Sequence, residues 1–113
     1  MLIYAIIVFA IGALGGLVLA SHVLRNKFAP WALSVLHMLL GAAGLVILIV
    51  MVLQGQTASR LVAALALLII AALGGFFLAS LHLRQKIPPK AIVIVHAGIA
   101  VIGFLTLLSM LLY

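Results

Sequence analysis

The sequence predicts an all-α protein, a transmembrane four-helix bundle made of two tandem helical hairpins related by a pseudo-two-fold axis. Composition is the first reason, because 70% of the 113 residues are hydrophobic and only 5% are charged. An ordinary soluble domain is therefore excluded. Repetition is the second reason, because the segment beginning Ala13–Gly16 returns at Ala72–Gly75, 59 positions later (72 − 13 = 59). An internal repeat constrains the fold before any single residue is interpreted.

Four apolar segments each reach the roughly 20 residues that a membrane-spanning helix needs. The first is too long for the apolar part of a signal peptide, and its end is repeated in the third, so we expect it to be retained. The four predicted helices are Leu2–Leu24, Pro30–Leu53, Leu61–Leu83 and Pro89–Leu112.

Short connections, Asn26–Ala29 and Gln85–Pro88, join the helices within each repeat. Connections of this length allow only antiparallel neighbours, so each repeat is predicted to be a hairpin. The prolines that follow, Pro30 and Pro89, are predicted in the first helical turn, where a missing N–H costs nothing.

The two repeats, residues 1–54 and 60–113, are predicted to form one membrane domain. Each repeat contains two spans, so both enter the membrane in the same direction. The axis that relates them therefore runs along the membrane normal.

Positive charge is concentrated at one end of the predicted bundle. The chain has six Lys and Arg residues and no Asp or Glu. The positive-inside rule predicts cytoplasmic hairpin connections and periplasmic termini, in a bacterial inner membrane. Because these charges lie at a membrane edge and not on a soluble face, we expect lipid and no nucleic acid as a partner. Five of the six basic residues lie in or beside those connections: Arg25, Lys27, Arg84, Lys86 and Lys90.

Each repeat carries two histidines, and the chain has no cysteine, which leaves histidine as its strong transition-metal ligand. His37 and His96 occupy the same repeat position, roughly 12 Å from the inner end of their helices at 1.5 Å per residue. His22 and His82 lie only about 3–5 Å deep and differ by one register. Two imidazoles at equal depth suit the axial positions of a planar metal macrocycle, and ionisable residues at this depth indicate a functional site.

A glycine lies seven residues from each histidine, towards the membrane centre. Seven residues place it on the histidine's own face, roughly 10 Å further along the helix. We expect these glycines to clear space for a macrocycle, with helix–helix packing as the alternative reason for their presence. They are Gly15, Gly44, Gly75 and Gly103.

Haem b fits these features best, because it takes neutral imidazole, is largely apolar and carries two carboxylates. Arg25 and Arg84 at the membrane edge are predicted to pair with those carboxylates. The number of haems stays open at this point. One haem could lie on His37 and His96, or two could lie side by side, each bridging a shallow and a deep histidine. The glycine spacing favours ligand roles for all four histidines.

With these paired histidines and glycines, the chain resembles the small b-type cytochromes of bacterial and organellar membranes, which are four-helix bundles with paired histidines on facing helices. The resemblance covers the whole chain. It differs in one respect, since those proteins usually stack haems at opposite faces, whereas all four histidines here lie on one side.

Bis-histidine coordination leaves no open iron position, so we expect electron transfer and not oxygen storage. Quinol, superoxide or a redox protein are the expected partners, and whether the protein turns over as an oxidoreductase or only relays electrons stays open. The alternatives are a histidine-based metal-ion or proton pathway and a cofactor-free membrane assembly subunit. A homodimer is a further open expectation.

Overall fold

The computed structural model describes all 113 residues. They form four helices joined by short connections, with no strand, which confirms the predicted all-α fold. Every helix is long and apolar enough to cross a membrane. The helices are α1 (Leu2–Leu24), α2 (Trp31–Leu53), α3 (Ser59–Leu83) and α4 (Lys90–Leu112).

The first and third helices end in the same backbone motif. In the first hairpin, Asn26 has φ 56°, and the Lys27 N–H donates to the His22 carbonyl at 2.8 Å. In the second, Gln85 has φ 56°, and the Lys86 N–H donates to a carbonyl of the last turn at 2.9 Å. These bonds form Schellman caps, which reverse the chain within a few residues. Both hairpins therefore turn in the same way.

The prolines differ slightly from expectation. Pro30 and Pro89 precede α2 and α4 as their N-caps, with ψ 133° and 135°, instead of lying in the first turn. The Pro30 carbonyl accepts the Leu33 and Ser34 N–H groups. An extended backbone at the capping residue, with its carbonyl already in the helical ladder, is the normal N-cap geometry. The prediction of first-turn prolines is thus wrong by one position.

The helices occupy the corners of a square. Helix α1 adjoins α2 and α4, helix α3 adjoins the same two, and neither diagonal pair is in contact. The repeat-equivalent helices, α1 with α3 and α2 with α4, therefore lie on the diagonals. This is the placement that a pseudo-two-fold axis along the bundle produces.

The buried core lies in the half of the bundle away from the hairpin connections. Its members recur at equivalent repeat positions, such as Leu48 with Leu107 and Phe9 with Leu68. Only 15 of the 113 residues are buried, so most apolar side chains face outward, which indicates contact with a lipid bilayer. The core comprises Ala5, Ile6, Phe9, Leu48, Met51, Leu61, Ala64, Leu68 and Leu107.

Candidate functional site

The structure brings two of the four histidines together at the centre of the bundle. The rings of His37 on α2 and His96 on α4 have centroids 6.4 Å apart and planes at 86°. Their helices lie on a diagonal of the square, with backbones that do not approach each other. The two side chains therefore bridge the interior in the half that holds the hairpin connections.

A hydrogen bond to α1 fixes the proton on one of these rings. The Nδ1 atom of His37 lies 2.8 Å from the Gly12 carbonyl oxygen. A carbonyl can only accept, so Nδ1 donates and Nε2 carries the lone pair of the neutral ring. Metal-binding histidines are oriented in this way by a backbone carbonyl on the far nitrogen.

The second ring repeats this environment less completely. The backbone of Ala71, the repeat counterpart of Gly12 (12 + 59 = 71), lies near the ring. The Nδ1 atom of His96 is buried and has no hydrogen-bond partner. A buried ring nitrogen without a partner costs free energy.

Glycine doublets on the neighbouring helices make room for both rings. A Cβ atom on Gly16 would lie 2.9 Å from His37 Cε1, and one on Gly75 would lie 3.1 Å from His96 Cε1. The adjacent Gly15 and Gly74 are less crowded, with nearest distances of 3.8 Å and 3.5 Å. Each hairpin therefore holds its deep histidine against its own glycine doublet.

The deeper glycines serve the core in this structure. A Cβ atom on Gly44 would lie 2.5–2.7 Å from the ring of Phe9, and one on Gly103 would lie 3.0–3.1 Å from Leu68. Phe9 and Leu68 are repeat counterparts (9 + 59 = 68). Protein side chains therefore fill the space beside both glycines. The seven-residue spacing from the histidines had predicted open space there.

The shallow histidines do not join the deep pair. His22 Nδ1 donates to Val18 O of its own helix at 2.8 Å, whereas His82 Nδ1 lies 2.6 Å from the hydroxyl of Ser34 on α2. No group of three or more histidines could hold a metal ion. The one-register difference between His22 and His82 gives the two shallow rings different surroundings, since one residue rotates a side chain by about 100° around a helix.

Ser34 sets His82 in the opposite tautomer to His37. The Ser34 side chain is 7% exposed, and its hydroxyl has no hydrogen-bond partner besides His82 Nδ1. A buried hydroxyl proton needs an acceptor, so Ser34 donates, and the proton of neutral His82 lies on Nε2. A protonated ring nitrogen cannot bind a metal. As placed here, His82 presents a hydrogen-bond donor.

Three residues around His82 were not among the site residues predicted from the sequence. The ring of Trp31 packs edge-on against His82 with centroids 5.0 Å apart, and Phe28 lies at 6.2 Å. Ser34 completes the cluster. A usable signal was present, because these residues break the repeat and correspond to Lys90, Ile87 and Val93.

The predicted carboxylate-binding arginines close the ends of their helices. Arg25 Nε donates to the Ser21 carbonyl at 3.1 Å, and Arg84 Nε donates to the Ser80 carbonyl at 3.3 Å. Both side chains are exposed at the hairpin connections. Positive charge at a helix C-terminus is favourable, and the terminal guanidinium nitrogens make no further hydrogen bond.

Comparison of the chain with protein-family models, with curated proteins and with solved structures finds no match. The function of the protein is therefore inferred from the geometry of its histidines.

Proposed function

We propose that the protein is a membrane b-type cytochrome that transfers electrons through one haem b held by His37 and His96. The hydrogen bond between His37 Nδ1 and the Gly12 carbonyl carries the proposal, because it leaves Nε2 as a free ligand atom. With ring centroids 6.4 Å apart, His37 and His96 are the two residues that would hold a single iron between them.

The histidine pair is flanked by glycines, whose backbone leaves no space for a macrocycle in the present packing. On α1 and α3 the neighbours of the rings are Gly15, Gly16, Gly74 and Gly75. The backbone at Gly16 and Gly75 now packs directly on the rings, so binding a macrocycle requires α1 and α3 to separate from them. When bound, haem supplies the one-electron iron couple. Arg25 and Arg84 are the charged groups available to its carboxylates.

The shallow histidines support one haem over two. The Ser34 hydroxyl donates to His82 Nδ1, which makes His82 Nε2 a donor, and no third histidine lies close enough to the deep pair to share a metal ion. In the proposed site, His22 and His82 act outside the coordination of the iron.

The proposed electron donor is quinol or a small reductant such as superoxide, which is oxidised to oxygen. We place this reaction at the cytoplasmic side of a bacterial inner membrane. Five of the six Lys and Arg residues lie at the hairpin connections, which supports a cytoplasmic position for them and a periplasmic position for both termini. The sixth, Arg60, donates to the Ser109 and Tyr113 carbonyls at 3.0 and 2.8 Å. Its charge is therefore engaged at the end of α4.

The absorption spectrum tests the proposal. Protein purified from haem-replete cells is expected to show a six-coordinate low-spin b-type spectrum that sharpens on reduction, with haem extractable by acid acetone because the chain has no cysteine for a thioether. Colourless protein that takes up no added haemin would contradict it and would leave the cofactor-free assembly subunit as the better interpretation. A multi-histidine metal or proton pathway has less support, since the histidines form no cluster and the chain has no carboxylate side chain.

A further inference from the structure

The two repeats differ at one pair of equivalent helix interfaces near the hairpin connections. Between α2 and α3, His82 is hydrogen-bonded to Ser34 and packed against Trp31. Between α4 and α1, the equivalent positions of His82 and Ser34 are Val23 and Val93. A bundle of this kind folds with valines at these positions, as its other half does, so the polar and aromatic cluster is not required for packing.

Three members of this cluster, His82, Trp31 and Phe28, line a cavity of about 440 Å³ between the first hairpin connection and the end of α3. Its walls include the rings of Phe28 and Trp31, which are 48% and 41% exposed. The remaining lining residues are Ala29, His82, Leu83 and Gln85. The cavity is therefore aromatic, lies at the predicted membrane edge and contains two polar side chains.

The free nitrogen of His82 defines what the cavity can bind. Ser34 donates to Nδ1, so Nε2 carries the proton, and Nε2 makes no hydrogen bond in the structure. An aromatic cavity with a fixed N–H donor suits a flat, neutral ligand that has a carbonyl acceptor. A phosphate needs several charge-assisted donors, whereas Arg84 and Lys86 are not among the lining residues.

We propose that this cavity binds the head group of a membrane quinone. The Nε2–H group of His82 donates to one quinone carbonyl, Trp31 and Phe28 flank the ring, and the apolar tail lies in the bilayer. Its part in supplying electrons rests on the proposed haem function, whereas binding itself does not.

The single tryptophan of the chain makes binding measurable without haem chemistry. Trp31 is the only tryptophan and lines the cavity, so its fluorescence reports occupancy. The full chain in phosphatidylcholine nanodiscs is titrated with a decyl-tailed benzoquinone, and saturable quenching is expected. Ser34→Val and His82→Leu are each expected to raise the Kd about 3- to 10-fold, the effect of losing one hydrogen bond of roughly 1 kcal/mol.

A matched control uses the other half of the bundle. Val93→Thr adds one hydroxyl group at the position equivalent to Ser34, whereas Ser34→Val removes one. The Val93→Thr variant is expected to leave the Kd unchanged. Quenching that never saturates, or that has the same Kd in Ser34→Val and His82→Leu as in the unmodified protein, overturns the proposal. So does loss of saturable quenching when phosphatidylglycerol replaces phosphatidylcholine, because the cavity is then a phospholipid site.

The absorption spectrum of the same samples separates this proposal from the haem proposal. Saturable quenching in protein without a Soret band contradicts only the cytochrome function. A low-spin Soret band with quenching that does not saturate contradicts only the quinone site.

Discussion

The imidazole rings of His37 and His96 lie 6.4 Å apart, centroid to centroid, although the backbones of their helices, α2 and α4, do not approach each other. Both rings rest on glycine doublets of the other two helices. All four helices thus converge on this pair.

Removing either deep histidine is expected to abolish the low-spin spectrum. His37→Ala or His96→Ala leaves one axial ligand, because no other histidine lies close enough to share a metal ion with the pair. Haem content per protein and the reduced spectrum are the measurements. His22→Ala is the matched control and is expected to keep full haem content. If His22→Ala and His82→Ala each remove about half of the haem, two haems are present and the single-site assignment is wrong.

The two glycines of a doublet are expected to respond differently to a methyl group. Gly16→Ala places Cβ 2.9 Å from His37 Cε1, whereas Gly15→Ala meets nothing closer than 3.8 Å. Gly16→Ala must displace the His37 ring, and we expect it to weaken haem binding. The methyl group of Gly15→Ala fits without moving the ring, so haem binding is expected to be unchanged. Haemin titration of both variants measures the difference. Equal affinities would show that the ring is not held by this contact.

The deeper glycine of α2 is expected to affect stability. Gly44→Ala drives a methyl group into the Phe9 ring, at 2.5–2.7 Å, and overpacking of this kind costs about 1–3 kcal/mol. Gly41→Ala on the same helix has no atom within 4 Å and is the control, expected to be neutral or stabilising by up to about 1 kcal/mol. Thermal unfolding in detergent measures both.

A compensating change identifies the contact responsible. Phe9→Leu installs the residue that the second repeat has at Leu68, and in combination with Gly44→Ala it is expected to recover part of the lost stability. Gly44→Ala protein that unfolds at the unchanged temperature but fails to bind haem would instead return Gly44 to the ligand site.

Membrane orientation can be measured with single cysteines, because the chain has none of its own. Gln56→Cys lies in the connection between the repeats, and Ile87→Cys lies in the second hairpin connection. In intact spheroplasts, an impermeant maleimide is expected to label Gln56→Cys and to label Ile87→Cys only after lysis. The reverse pattern would place the basic connections outside.

Much of the fold is predictable because the membrane simplifies it. A bilayer requires every backbone polar group to be satisfied within a helix, so the length of each apolar segment sets the span. The predicted bounds of α1, Leu2–Leu24, match the structure. The start of α3 lies at Ser59 instead of Leu61, because the Ala58 carbonyl accepts the Val62 N–H and adds to the first turn.

The contact between His37 and His96 was also predictable. The two residues occupy equivalent positions in repeats related by an axis along the bundle, so they lie at equal depth. The glycine spacing was less informative. A separation of seven residues predicts that Gly44 and His37 lie on the same face of α2. It does not predict which side chain of the neighbouring helix α1 packs against that face. Only the packed bundle shows that Phe9 occupies it.

Four features follow from the amino-acid sequence alone: the apolar spans, their hairpin order, the end of the bundle at which the charges and histidines lie, and the register that pairs the deep histidines. The chemistry of the individual rings depends on the tertiary structure. His37 presents a lone pair because Gly12 of α1 accepts from its Nδ1, and His82 presents an N–H because Ser34 of α2 donates to its Nδ1. Periodicity along one helix predicts depth and face, whereas a ring's tautomer depends on the partner atom that a neighbouring helix brings to it.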